Sequence, residues 1–148
     1  MSTSNDVQID PRGYRVGALI TFVLAAVALV CGSSVAGIVL TAVLVALFIP
    51  GATVGPQATL QSFLFRHLIR PRIGAPAATE SFRPPRFAQQ MGLVMAAVAL
   101  VGAIAGSSVV FYIFMALLTA ASFLNGVFGL CLGCELYLLF KRTTTRAA

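Results

Sequence analysis

Apolar positions run along this chain in two long blocks, Val16–Phe65 and Phe87–Cys134, in which no Asp, Glu, Lys or Arg occurs. A helix crossing a hydrocarbon core of ~30 Å needs ~20 residues, so each block holds two spans and not three. Gly32-Ser33-Ser34 divides the first block into spans at about 16–32 and 35–49, and Gly106-Ser107-Ser108 divides the second into spans at about 88–105 and 109–125. Ile49-Pro50-Gly51 and Gly55-Pro56 close the second span, because proline lacks a donor and disfavours helix in the residue before it. The short joints predict two tight hairpins, with Ala25, Ala26, Ala36, Gly37 and Ala42 available for close helix contact.

Between the blocks the pattern changes. Leu60, Phe63, Leu64 and Leu68 recur at helical spacing beside Arg66, His67 and Arg70, which predicts an amphipathic helix at about 57–70 lying in the headgroup plane. Residues 71–86, broken by Pro71, Gly74, Pro76, Pro84 and Pro85, read as a linker, and the polar residues 1–13 as a frayed tail ending near Tyr14. The expected fold class is therefore an all-α integral membrane protein. Its single membrane domain, 1–148, has four transmembrane helices as two hairpins plus a short cytoplasmic amphipathic helix.

An echo runs through the two blocks. Val23–Val30 and Val94–Val101 agree at seven of eight positions, and Gly32-Ser-Ser-Val35 is repeated as Gly106-Ser-Ser-Val109. Two hairpins of like orientation, a parallel repeat, would produce this pattern; so would convergence of Ala/Val-rich helices.

Composition supports the membrane reading. The chain is 59% hydrophobic and 9% charged, with mean hydropathy +0.96, which is more apolar surface than a soluble domain of 148 residues can bury. The net charge of +6 comes from ten Lys and Arg residues that flank the apolar blocks. Their nearest anions are lipid headgroups, so the bilayer is the expected partner and nucleic acid is not. Val30, before Cys31, is too large for a cleavage or lipid-attachment site, and the first span is expected to be retained.

With two spans per block, the N-terminal tail, the central segment and the C-terminal tail share one side, and every Lys and Arg falls there. The positive-inside bias then predicts a multi-pass protein of the inner (plasma) membrane with both termini cytoplasmic, Tyr112 anchoring the outer face and Tyr137 the inner one.

Reactive chemistry is concentrated in Asn125–Tyr137. The spans hold no ionisable residue for a proton or ion path, and four acids with one histidine assemble no hydrolytic or phosphate-binding site, so no cofactor and no resident metal are expected. Cys131-Leu-Gly-Cys134 is a C-x-x-C, in which residues three apart on a helix share a face and can bridge. Cys31 falls at the opposite face, about a bilayer thickness away, and reads as a small buried apolar residue. Three roles stay open for the pair. One is dithiol–disulfide or sulfur chemistry with Cys131 attacking and Cys134 resolving, served by a soluble redox or sulfur-transfer protein. Another is a metal site completed by His67, Glu135 or a second copy of the chain. The last is a structural role, in which small thiols and glycines permit tight packing within a scaffold or complex subunit. If a helix restarts near Leu130, Cys131 sits at its N-terminus and its thiolate is favoured; if the fourth helix runs on, the thiols are dulled beside Glu135.

Asp10-Pro11-Arg12 before the first span, Pro85-Arg86-Phe87-Ala88 with Gly92 before the third, and Gly129-Leu-Cys-Leu-Gly-Cys-Glu-Leu-Tyr137 together resemble the bacterial membrane family filed as domain of unknown function 4395. The resemblance spans nearly the whole chain, and its most specific part is the C-L-G-C segment followed by an aromatic. In that family an aromatic often precedes the first cysteine, where this chain has Leu130. The resemblance implies a four-span membrane protein in which Cys131 and Cys134 match a family feature; it implies no reaction.

Overall fold

Asp10 starts the first helix: in a computed structural model that describes residues 6–147, its carboxylate accepts the Arg12 N–H at 3.0 Å, with Pro11 in the first turn. Helix α1 (Pro11–Cys31) thus begins ahead of the apolar run, inside what the sequence pattern gives as a frayed tail; the first five positions of that tail lie outside the described residues. Gly32, at φ 61°, stops α1, and Ser34 caps α2 (Val35–Thr53) by accepting the Gly37 N–H at 3.3 Å. Pro50 does not end α2, because its carbonyl still accepts the N–H groups of Val54 and Gly55 at 3.0 and 3.2 Å and so closes the following turn.

The central segment is a chain of short turns. A 3-10 turn at Pro56–Ala58 leads through Thr59, the cap of α3 (Leu60–Leu64), into a π-helical turn at Phe65–Ile69 and then α4 (Arg70–Ile73). Its inward side is Gln61, Ser62 and Phe65, while Leu60, Phe63, Leu64 and Leu68 are all exposed. The approach is close because α1 offers glycines: a Cβ on Gly13 would lie 3.1 Å from the Phe65 ring, and one on Gly17 3.3 Å from Gln61. The apolar stripe of this segment therefore points away from the protein.

Two elements that pattern alone misses join the tail to the linker. Gln8–Ile9 (β1) pairs antiparallel with Glu80–Ser81 (β2), and a polar clasp surrounds the pair. Arg83 bridges Asp6 at 3.3 Å, Ser81 donates to Asp6 at 2.9 Å, and Arg12 donates to the Gly74 carbonyl at 3.0 Å. Partial burial pushes the Asp10 carboxyl up, but hydrogen bonds from Arg12 and the charges of Arg12 and Arg70 leave it below its ordinary value. Helix α5 (Arg83–Ile104) begins within the expected linker, because Pro84 and Pro85 occupy first-turn positions whose N–H groups have no helical partner anyway.

Helix α6 (Ser108–Phe123) extends through a π-helical turn to Phe128, and α7 (Leu132–Arg146) follows. Four helical stretches, Pro11–Cys31, Val35–Thr53, Arg83–Ile104 and Ser108–Phe128, are long and apolar enough to cross a membrane. The main contacts among α1, α2, α5 and α6 run in the cyclic order α1–α2–α5–α6, and Thr41 of α2 reaches across to the Met115 sulfur of α6. Their shared interior holds Ala25, Ala28, Ala96 and Ala99 with Leu44, Phe111 and Met115, all fully buried. The echo lands on these positions, since Ala25 and Ala28 stand in the first copy where Ala96 and Ala99 stand in the second. Small side chains there let the helices approach closely, while Val23, Val27, Val39, Val101 and Ile113 are exposed on the outside.

Candidate functional site

Gly129 breaks the fourth helical stretch. Its left-handed conformation, φ 71° and ψ 12°, lets its own N–H reach the Asn125 carbonyl at 3.0 Å and the Leu130 N–H reach the Leu124 carbonyl at 3.2 Å. Arg15, whose guanidinium donates to the Val127 carbonyl at 3.3 Å, sits against this carbonyl-rich end, where a cation complements the helix dipole. Gly126, by contrast, stays within the helical stretch; it is small because Leu19 lies where a Cβ would go, at 2.6 Å.

The chain then restarts at Cys131, the N-cap of α7, with extended backbone at φ −85° and ψ 96°. Its sulfur accepts the Cys134 N–H at 3.3 Å, the role a serine or aspartate oxygen plays in other caps. Cys131 and Cys134 are joined as a disulfide, with Cα atoms 5.2 Å apart. Cys131 is buried, at 7% exposure, and Cys134 is partly exposed. Between them Gly133 lies flat on α5: a Cβ there would stand 2.6 Å from the Ala88 Cα. Phe87 packs on the Tyr137 ring at 5.9 Å and the Phe140 ring at 6.5 Å, which extends the α5–α7 contact beyond the cysteines.

Beneath Cys131 a cavity of about 210 Å³ reaches into the helix bundle. Its walls are mostly apolar, with Phe48, Met91, Met95 and Leu118 among them, and its polar groups include Gln89, Ser122 and Asn125 with Tyr14 and Thr21 of α1. The Asn125 Oδ1 is buried without a hydrogen-bond partner. A second cavity, of about 180 Å³, lies away from the cysteines beneath the polar clasp, between Gln57, Phe65 and Arg70.

A family model described as Domain of unknown function (DUF4395) matches residues 9–142. The chain belongs to this family. No curated protein and no solved structure matches it.

In this DUF4395 member the cysteines named by the sequence come together and Cys31 does not join them. Cys31 is free at the far end of α1, where Gly32 meets Tyr112 and the Ser33 and Ser108 hydroxyls are 3.5 Å apart. His67 is engaged elsewhere, its Nδ1 2.9 Å from the Phe63 carbonyl and its ring 4.1 Å from the Phe63 ring. Among the described residues no group of three or more His, Cys, Asp or Glu side chains is placed to hold a metal ion. Of the two local geometries open to the sequence, the structure has the restarted helix, with the break at Gly129 and not at Gly126.

The cavity is what sequence reasoning missed. It arises where small residues of α5 and α6, Ala88, Gly92, Ala121 and Ser122, face one another under the first turn of α7. The available signal was Asn125, an amide at the end of an apolar helix, one turn beyond Ser122.

Proposed function

We propose that this DUF4395 chain is a multi-pass protein of the inner membrane that carries a redox-active disulfide at the membrane surface. The Cys131–Cys134 pair cycles between dithiol and disulfide with a soluble redox or sulfur-transfer protein. The observation that carries this reading is the capping position of Cys131. On reduction its sulfur remains among the free N–H groups of the α7 N-terminus, where thiolate is favoured. A partner thiolate attacks the more exposed Cys134 sulfur, the Cys131–Cys134 bond breaks, and Cys131 departs as a stabilised thiolate. The partner's second thiol then attacks the mixed disulfide, freeing Cys134 and leaving the partner oxidised and the pair reduced. The returning half-reaction uses Cys131 as the attacking sulfur and Cys134 as the resolving one.

Orientation follows from charge. Arg12, Arg15, Arg66, Arg83 and Arg86 all bond to groups at the same end of the bundle as the cysteines, which supports a cytoplasmic site with both termini on that side. The outward stripe Leu60, Phe63, Leu64 and Leu68, beside Arg66 and Arg70, supports an interfacial segment against anionic headgroups. The two short turns at the opposite end support the paired-hairpin arrangement. A structural reading, in which the disulfide fixes the first turn of α7 in the shape that lets Gly133 seat on Ala88 of α5 within a scaffold or oligomer, is favoured by the closeness of that seat.

Sidedness and exchange test the proposal together. After reduction, a membrane-impermeant maleimide is expected to label Cys134 in inverted vesicles and not in intact cells; labelling from outside alone overturns the orientation. Reversible exchange with a glutathione buffer supports the redox role, and a disulfide that persists in excess dithiothreitol supports the structural role.

A further inference from the structure

We infer that the cavity beneath Cys131 receives the ring of a membrane-dissolved quinone, and that this quinone is the oxidant that returns the Cys131–Cys134 pair to the disulfide. The inference rests on the redox reading above and names its electron acceptor.

Size comes first. An apolar cavity of ~150 Å³ takes up benzene, so a cavity of about 210 Å³ has room for one substituted ring. The lining fits a ring with polar atoms at its edge. Phe48, Met91, Met95 and Leu118 offer apolar and sulfur contacts to its faces, and Asn125, Ser122 and Gln89 offer hydrogen bonds to its oxygens. Asn125 points to the same redox couple: its amide N–H can donate to a quinone carbonyl, and its buried Oδ1, which lacks a donor, can accept from the quinol hydroxyl formed in the reaction, whereas a lipid acyl chain meets neither need. The lining contains no Lys or Arg, so a phosphate-bearing nicotinamide or flavin finds no counter-charge. At the rim stand Leu117, Leu132 and Leu136, exposed at 50%, 42% and 43%, an apolar exit for an isoprenoid tail into the bilayer.

Cys131, buried and lining this cavity, faces the quinone, while Cys134 is the sulfur more open to a soluble partner. The step balances without a further reagent. The two S–H bonds break, one S–S bond forms, and two electrons and two protons reduce the quinone's two carbonyls to the hydroxyls of the quinol.

The test uses the full chain in lipid nanodiscs, reduced beforehand and kept free of oxygen, with ubiquinone-1 as the probe. One quinol is expected for each disulfide formed, and Ala121→Phe, which places a ring in the cavity, is expected to slow the reaction at least tenfold. A readout independent of any variant is thermal unfolding of the oxidised wild type. Ubiquinone-1 is expected to raise its melting temperature, whereas a saturated hydrocarbon of equal length is not. If the hydrocarbon raises it equally, the cavity is an acyl-chain site and the inference fails. If the wild type exchanges with glutathione but ubiquinone-1 oxidises it no faster than it oxidises Ala121→Phe, the inference fails and the redox reading stands. If the pair exchanges with neither, both fall.

Discussion

Gly133→Ala lifts the first turn of α7 from α5 and destabilises the protein by about 1–3 kcal/mol. The cause is that the nearest atoms to the new Cβ are the Cα of Ala88 at 2.6 Å, its Cβ at 2.7 Å and its N at 3.3 Å. Two of these belong to helix backbone, so no rotamer change relieves the contact, and Ala88→Gly as a second change removes only part of it. Gly74→Ala gives the contrast. Gly74, at φ 73° and ψ −172°, lies in a backbone region open in practice only to glycine but has nothing within 4 Å of a Cβ, so its cost of ~1–3 kcal/mol is backbone strain alone, with no contact to α7. Thermal unfolding in nanodiscs measures both. Hydrogen exchange separates them further, because Gly133→Ala is expected to expose the α7 amides and Gly74→Ala is not. Equal protection of α7 in the two variants would show that α7 does not depend on this seat.

Cys131→Ser and Cys134→Ser are expected to fail in different ways. A serine at the N-cap accepts the Cys134 N–H as well as sulfur does, so Cys131→Ser keeps α7 but strands a single, partly exposed thiol in its first turn. Cys134→Ser leaves Cys131 at the cap, where the helix N-terminus favours thiolate and lowers the pH at which it forms. Toward a small apolar disulfide able to enter the cavity, such as diethyl disulfide, Cys134→Ser should react about tenfold faster than Cys131→Ser at neutral pH and stop at a stable mixed disulfide. Because the thiolate is the nucleophile, the rate for Cys134→Ser should level off at lower pH than the rate for Cys131→Ser. Superimposable pH profiles would remove the capping argument.

The four helices long and apolar enough to cross a membrane were legible because absent charges across Val16–Phe65 and Phe87–Cys134 mark them without any tertiary knowledge. The echo itself was legible, but which small residues meet was only partly so: of those named for close contact Ala25 and Gly37 are buried, whereas Ala36 and Ala42 are exposed. Helix starts were misplaced where capping outweighs apolarity: Asp10-Pro11 and Arg83-Pro84-Pro85 open α1 and α5 in polar sequence. The pairing of Gln8–Ile9 with Glu80–Ser81 left no local trace, because it joins two distant segments of two residues each.

Around the site the balance shifts. The cysteine pair stood out by residue type alone, and Gly126 and Gly129 were both recognisable as possible breakers, but that Gly126 is a contact glycine against Leu19 of α1 and Gly129 the left-handed stop shows only in the fold. The full length of α7 was readable and missed: Leu132, Leu136, Leu139 and Phe140 recur at helical spacing, on a stripe that the structure leaves exposed. The cavity was invisible because its lining is drawn from α1, α2, α5, α6 and α7, with no continuous motif.

The most direct test of the redox account is an equilibrium titration of the full-length protein in nanodiscs against a graded glutathione or dithiothreitol buffer, with the Cys131–Cys134 state read by thiol alkylation and gel shift. The account predicts a reversible two-electron transition, the ratio of dithiol to disulfide changing tenfold for every ~30 mV, and no such transition in Cys131→Ser. A pair that stays oxidised, or stays reduced, across the whole range would contradict it.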